Sequence, residues 1–250
     1  MIRPTSPSFL CIGAQKSGTT TLHRLLSSHP GIFMPTEKEL HYFSLHYHCG
    51  PGWYAEHFRG ARPWQICGEI TPYYLFHPQV PSRIRALLPE ARLIVLLRDP
   101  VERALSGFFH SSRLGQESLP LEQALAAEQA RLQDADHHLK QPGSRHVSHQ
   151  CHSYVSRSRY ELQLSRFLRL FPADQMLILR CEDLLSSGEK AWRQILEFIG
   201  ASYKPLPRRL PHANRGRGEA SVVPAHVRAM LHSRLALTYE AMARDYGLHW

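Results

Sequence analysis

Phe9-Leu-Cys-Ile-Gly-Ala-Gln-Lys-Ser-Gly-Thr-Thr-Thr21 decides the reading of this chain. The apolar run Phe9 to Ile12 predicts a buried strand, and a tight Gly-containing turn follows it. Leu22, Leu25 and Leu26 then recur at helical spacing. Strand, glycine turn and helix start together form an arrangement that holds a phosphate. Free backbone N–H groups of Ser17, Gly18, Thr19 and Thr20 would point at the anion, and the helix dipole favours negative charge there. Lys16 adds a mobile positive charge, and the threonines add hydroxyl donors. The nucleotide triphosphate loop, G-x-x-x-x-G-K-[ST], carries its lysine after the second glycine. Lys16 instead precedes Gly18, so its ammonium enters the loop from the other side.

A second segment, Arg92-Leu-Ile-Val-Leu-Leu-Arg-Asp-Pro-Val-Glu-Arg-Ala-Leu-Ser106, reads as a buried strand ending in Arg98 and a helix bearing Ser106. Asp99, Pro100 and Glu102 make a helix start: an N-cap, a proline at the first position and an acid at the third. Arg98 lies where a parallel strand ends, the edge at which α/β proteins place ligands. Ser106, seven positions after the cap, returns to the cap's face after about two turns. Arg98 and Ser106 can thus close on one phosphate; the plainer reading of Arg98 is a surface arginine.

The order G-x-x-K-[ST]-G-T-T resembles the 5′-phosphosulfate loop of sulfotransferases that use 3′-phosphoadenosine-5′-phosphosulfate (PAPS). The Arg92–Ser106 segment resembles their 3′-phosphate segment. The resemblance runs from Phe9 to about Leu184. It implies a three-layer α/β fold, a central parallel sheet flanked by helices, of the P-loop NTPase-like sulfotransferase kind. It implies PAPS as sulfuryl donor, held by Lys16, Ser17, Gly18, Thr19, Thr20, Arg98 and Ser106, with no metal required. Lys16 would also be catalytic, contacting the bridging oxygen or sulfonate as the leaving phosphate gains charge. Two rivals stand beside this reading: a P-loop kinase-like phosphotransferase and a nucleotide-binding module that has lost catalysis. The position of Lys16 and the Arg98–Ser106 pair speak against the first; intact Lys16 and Glu39 speak against the second.

An acceptor hydroxyl needs a base. Glu37-Lys-Glu-Leu-His-Tyr-Phe43 resembles the K-E-x-H-F-F segment of glycan sulfotransferases, whose Glu is the proposed base. That position is Glu39, which would serve if burial raises its pKa. His41 is the competing base, because imidazole titrates nearer neutrality. A helical turn over Glu37 to His41 would point Glu39 and His41 about 200° apart. A charged helix start without catalytic use is the bland alternative. Gly68-Glu-Ile-Thr-Pro-Tyr-Tyr-Leu-Phe76 resembles the family's E-K-[ST]-P-x-Y-F, with Ile70 where some glycan enzymes carry Lys, which weakens a heparan-like acceptor. In Gly50-Pro-Gly-Trp-Tyr54, Trp53 and Tyr54 fit either an acceptor platform or buried core. Arg215-Gly-Arg-Gly218 lies where related enzymes close a basic loop over PAPS, and reads equally as a solvent loop.

With 250 residues and a 43% apolar composition, the chain reads as one domain, 1–250, with a substantial core. No apolar run is long enough to span a bilayer, and Phe9 to Ile12 is too short for a signal-peptide core. The expectation is a soluble chain without stable membrane insertion, though a luminal domain trimmed of an anchor would look the same. The net charge of +9 suits an anionic small molecule. Its basic residues are scattered rather than blocked, except near Arg208, Arg209, Arg215 and Arg217, so a nucleic-acid partner is not expected. Partners are then a small-molecule or glycan acceptor; oligomeric state is unreadable. Cys11, Cys49, Cys67, Cys151 and Cys181 are odd in number and lack C-x-x-C spacing. The disulfide that animal heparan-type sulfotransferases carry in the C-terminal region has no counterpart after Cys181. A reducing, cytoplasmic setting follows. The seventeen histidines, His146, His149 and His152 among them, lack the paired-ligand spacing of structural zinc sites.

Elsewhere, strands are predicted at Gln65–Ile70 and Met176–Leu179 and helices at Val80–Leu88, Leu119–Leu139, Tyr154–Phe171, Ala191–Ile199 and Val227–Tyr246. The helix after Asp99 should reach about Leu114. Gln141–His152 and Ala201–Val223 read as loops, the first mobile.

Overall fold

The computed structural model describes residues 6–207, 210 and 219–250. In chain order its elements are β1 (Phe9–Gly13), α1 (Thr19–Ser27), β2 (Ile32–Phe33), α2 (Gly50–Glu56), β3 (Ile66–Ile70), α3 (Val80–Leu87), β4 (Arg92–Leu97) and α4 (Pro100–Arg113). Then follow α5 (Leu121–Arg131), α6 (Ala135–His138), α7 (Val147–Cys151), α8 (Tyr160–Leu168), β5 (Met176–Arg180), α9 (Cys181–Ser187), α10 (Glu189–Ile199), α11 (Ala225–Arg234) and α12 (Ala236–Tyr246).

The five strands form one parallel sheet in the order β2-β3-β1-β4-β5. Its central strands are apolar on both faces because both are covered. Phe9, Cys11, Ile94 and Leu96 pack with Leu22 and Leu26 of α1 and Ile195 of α10. Leu10, Ile12, Leu93, Val95 and Leu97 pack on the other face with Ile84 of α3, Leu164 of α8 and Met242 of α12. This is the expected three-layer architecture. Gly68 sits opposite Phe9 in the register, and a Cβ there would meet the Phe9 ring at 1.9 Å. β1 lies between β3 and β4, so the chain changes direction across the sheet beside β1. The loops after β1 and β4 therefore open on the crevice where such sheets bind ligands.

Several sequence expectations change. The 119–139 segment divides into α5 and α6, with Asp134 in the left-handed region at φ 59°. Gln141–His152 is not simply a loop: it contains α7, whose His149 is buried. The helix expected from Tyr154 begins only at Tyr160. The preceding backbone is held by tertiary bonds instead, Glu128 accepting from the Val155 and Ser156 N–H groups at 2.8 and 2.7 Å. The C-terminal helix breaks at Leu235 into α11 and α12. The break serves two cores: Val227, Leu231 and Leu235 pack against α4 and α5, whereas Ala241 and Met242 pack against the sheet. β2 and α9 were unanticipated. β2 is a two-residue strand made by pairing with β3, and such a strand has no periodicity of its own.

Candidate active site

β1 ends at Gly13, and the chain turns through Lys16 (φ 70°) and Gly18 (φ 76°) into α1. Gly18 carries no side-chain cap, so the first turn of α1 opens on the crevice with Thr19 and Thr20 at its mouth. Four non-glycine residues have positive φ among the described residues: Lys16, Glu39, His41 and Asp134. Three of them belong to the site. Strained backbone gathers at functional sites, where the surrounding structure over-determines it.

After β4, Asp99 Oδ1 accepts the Glu102 N–H at 2.8 Å, which caps α4 as expected. Tyr160 donates its hydroxyl to the Arg98 carbonyl at 2.9 Å and fixes the turn from the other side. Lys16, Gly18, Thr19, Thr20, Arg98 and Ser106 line one cavity of ≈360 Å³, and Glu39 reaches it too. The structure thus unites two segments some eighty residues apart. Ser17 departs from expectation. Its N–H donates to the Ala14 carbonyl at 3.3 Å and its hydroxyl is buried without a partner, so it faces inward.

The sequence reading missed Gln15, Phe109, His110 and Arg113, all of which line this cavity. The signal was present: Ser106, Phe109, His110 and Arg113 follow i, i+3, i+4, i+7 and share one face of α4. Arg113 is anchored by Glu219 Oε1 at 2.9 Å, which brings the segment before α11 to the rim. Burial first, then the charges of Arg113, Arg98 and Arg103, lower the Lys16 ammonium to about 8. That crowding of cations suits an anionic ligand, which would restore the ordinary lysine pKa.

The acid–base segment corrects two expectations. Glu37 to His41 is irregular, not a helical turn. The Glu39 N–H donates to the Ile70 carbonyl at 3.1 Å and the His41 N–H to Thr71 Oγ1 at 3.4 Å, docking the loop on the end of β3. With left-handed backbone at both, Glu39 Oε2 and His41 Nε2 lie 3.7 Å apart rather than on opposed faces. Nor is the Glu39 pKa raised. Burial pushes it up, but the His41 ring and the Lys38 ammonium outweigh that and hold the carboxyl at about 2.

His41 also lines a second cavity of ≈210 Å³, which shares Gln15, Glu39, Pro72 and His110 with the first. The two cavities therefore meet at Glu39. Within the Glu69–Tyr74 stretch, Pro72 and Tyr73 line the second cavity, whereas Glu69, Thr71 and Tyr74 form scaffold. Buried Glu69 accepts from Thr71 Oγ1 at 2.6 Å, from the Tyr74 hydroxyl at 2.8 Å and from the Tyr54 hydroxyl. Tyr54 is thus core, stacked on Tyr42 with ring centroids 4.4 Å apart. His149 bonds the Tyr73 hydroxyl at 2.7 Å through Nδ1, and His152 Nε2 meets the Gln116 carbonyl at 2.8 Å. Among the described residues, no three His, Cys, Asp or Glu side chains gather as metal ligands. Arg215 to Gly218 lies outside the described residues, as do Arg208 and Arg209.

A parallel sheet thus carries a phosphate-type loop after β1, an arginine after β4 and a carboxylate where two cavities join. A profile described as "Sulfotransferase domain" matches residues 6–212, and the chain belongs to that family. It is similar to the membrane-associated sulfotransferase kil1 of Dictyostelium discoideum, 44% identical over 108 residues, covering 42% of this chain and 23% of that one. It is also similar to heparan sulfate glucosamine 3-O-sulfotransferase 3B1 of Mus musculus, 30% identical over 196 residues, 78% of this chain and 46% of that one. The chain spans less than half the length of both relatives. Among solved structures, the sulfotransferase from Alicyclobacillus acidocaldarius superposes with a TM-score of 0.70 at 25% identity, covering 93% of this chain and 95% of that chain. The donor used by the family, PAPS, fits what is present. Lys16, Arg98 and Arg113 supply three cations, and Thr19, Thr20 and Ser106 supply hydroxyls, around one cavity.

Proposed function

We propose that this chain transfers the sulfuryl group of PAPS to an acceptor hydroxyl by in-line displacement, releasing adenosine 3′,5′-bisphosphate. One observation carries the reading: the 5′- and 3′-type phosphate segments open on a single cavity that also reaches Glu39. The acceptor oxygen forms a bond to sulfur as the bond from sulfur to the bridging phosphate oxygen breaks. Lys16 stabilises the charge that gathers on the departing phosphate, and Glu39 takes the acceptor proton. Such preorganised charge is commonly the largest catalytic contribution. Glu39 is ionised at neutral pH, but its pairing with Lys38 and His41 keeps it a weak base. Loss of the Lys38 contact on loading the site would raise its basicity. The Lys16–Gly18 order favours this reading over kinase-like phosphoryl transfer.

The test is incubation of the purified chain with PAPS and an acceptor panel, with adenosine 3′,5′-bisphosphate and product masses measured. Adenosine 3′,5′-bisphosphate should raise the melting temperature and ATP with Mg²⁺ should not. Stabilisation by ATP alone would favour the kinase alternative; stabilisation without any turnover would favour the inactive module. We also propose a reducing, cytoplasmic setting, supported by five free thiols of which Cys11, Cys67 and Cys181 are buried. A thiol titration of the denatured protein that finds fewer than five would count against it.

A further inference from the structure

The acceptor-side cavity differs in charge from the donor side. Among its described lining residues Arg157 is the sole Arg or Lys, and its charge is committed elsewhere. Arg157 is 4% exposed. Its Nε donates to Ser153 Oγ at 2.9 Å, its Nη1 to Gln15 Oε1 at 2.7 Å, and its Nη2 to the His149 and Gln150 carbonyls at 2.8 Å. The guanidinium also lies over the Tyr73 and Phe76 rings, at 4.9 and 5.1 Å. It holds the α7 segment against the phosphate loop and has no open fork for a carboxylate or sulfate. His41 is engaged by Ser44 Oγ, 3.1 Å from its Nδ1, and by Glu39. His110 is held below the ordinary imidazole range by burial, then by Lys16 and Arg113, and so adds no charge at neutral pH. What remains is the Glu39 carboxylate, uncharged polar groups (three amides, Tyr73, Ser111 and Cys151) and an apolar wall of Leu45, Leu114 and Pro72.

The amides are set for hydroxyl groups. Gln150 Nε2 is buried beside the Tyr73 hydroxyl, which His149 engages, and makes no well-formed hydrogen bond of its own. The Gln15 amide is oriented by its oxygen's bond to Arg157. Gln116, an exposed residue, completes the set of amides. A few placed uncharged polar groups on an apolar wall orient an uncharged ligand, whereas an anion there would find no uncommitted cation, Lys38 being already paired with Glu39.

Resting on the PAPS reading, we propose that the acceptor moiety bound in this cavity is an uncharged, hydroxyl-bearing ring, a neutral glycoside, rather than a uronic-acid- or sulfate-bearing sugar. The test uses the full chain at saturating PAPS. It compares methyl glycosides of neutral hexoses with their matched uronic acids and with a heparan sulfate oligosaccharide. The neutral member of a pair should exceed its uronate in kcat/KM by about tenfold or more, the size of a 1.4 kcal/mol preference. Its KM should shift by less than about twofold between low salt and about 0.15 M, because no exposed ion pair is screened. Gln150→Lys, which adds a free cation, should narrow or reverse the preference. Equal or better use of uronates or the heparan oligosaccharide overturns the proposal. So does the absence of transfer to every neutral glycoside while adenosine 3′,5′-bisphosphate still stabilises the protein. Failure of that nucleotide to stabilise the protein would instead refute the donor reading.

Discussion

Glu39 Oε2 stands 3.7 Å from His41 Nε2, although the two residues are only two positions apart. Left-handed backbone at both, φ 64° and 53°, folds their side chains toward each other at the junction of the two cavities. An imidazole therefore stands beside the carboxylate that is proposed to take the acceptor proton. Glu39→Gln keeps the shape and removes the basicity, so kcat should fall by about 10²–10⁴ with nucleotide binding retained. His41→Asn should cost less. A larger kcat loss in His41→Asn than in Glu39→Gln would make His41 the base.

Lys16→Ala should lower kcat by about 10²-fold or more, as loss of a charge-stabilising donor does. Binding of adenosine 3′,5′-bisphosphate, which lacks the sulfonate, should weaken only modestly. Near-normal turnover in a folded variant would remove Lys16 from the chemistry.

A Lys16 pKa lowered to about 8 predicts an alkaline limb. The ammonium is charged below that pH and neutral above it, so kcat/KM for PAPS should fall as pH rises through about 8. Nucleotide binding near that pH should take up a proton, because a phosphate favours the charged form. Calorimetry in two buffers of different ionisation enthalpy measures the uptake, and zero uptake contradicts the assignment.

Arg98→Ala and Ser106→Ala should weaken adenosine 3′,5′-bisphosphate by about 1.5–3 kcal/mol each, the range for hydrogen bonds to charged groups. Adenosine 5′-phosphate, which lacks the 3′-phosphate, should bind nearly as before. Equal losses for both nucleotides would place the 3′-phosphate elsewhere.

Glu117 tests the scaffold behind the second cavity, which Ser111 and Gln116 line. Its fully buried carboxylate takes Arg131 at 2.6 and 3.1 Å, the Tyr154 hydroxyl at 2.8 Å and the Leu119 N–H at 2.9 Å. Burial would raise its pKa, but these donors outweigh it and hold the group at about 2. The stability it contributes is present above the ordinary carboxylate pKa and is lost as pH falls toward about 2. Glu117→Gln should cost about 1.5–3 kcal/mol in chemical denaturation, the range for hydrogen bonds to a charged group. A loss that persists unchanged at low pH would assign the effect to packing.

The donor half of the site was legible in the order of residues because phosphate binding is a local device. Lys16, Gly18, Thr19 and Thr20 act through one turn and the first turn of α1, and Asp99 caps α4 within four residues of Glu102. The buried strands were legible for the same reason: a strand covered on both faces must be apolar throughout, as Phe9 to Ile12 and Leu93 to Leu97 are. Helical spacing also carried Phe109, His110 and Arg113 onto the Ser106 face, although that signal went unread. Only the tertiary structure brought Lys16, Arg98 and Glu39 to one cavity, since nothing local couples the ends of β1, β4 and β3. It alone set the fate of buried charge. Glu39 has a depressed pKa because Lys38 and His41 close on it, and Arg157 is spent on Gln15, Ser153 and two carbonyls. A side chain's charge is written in its identity, but its availability depends on the partners that burial forces on it, and those partners come from distant parts of the chain.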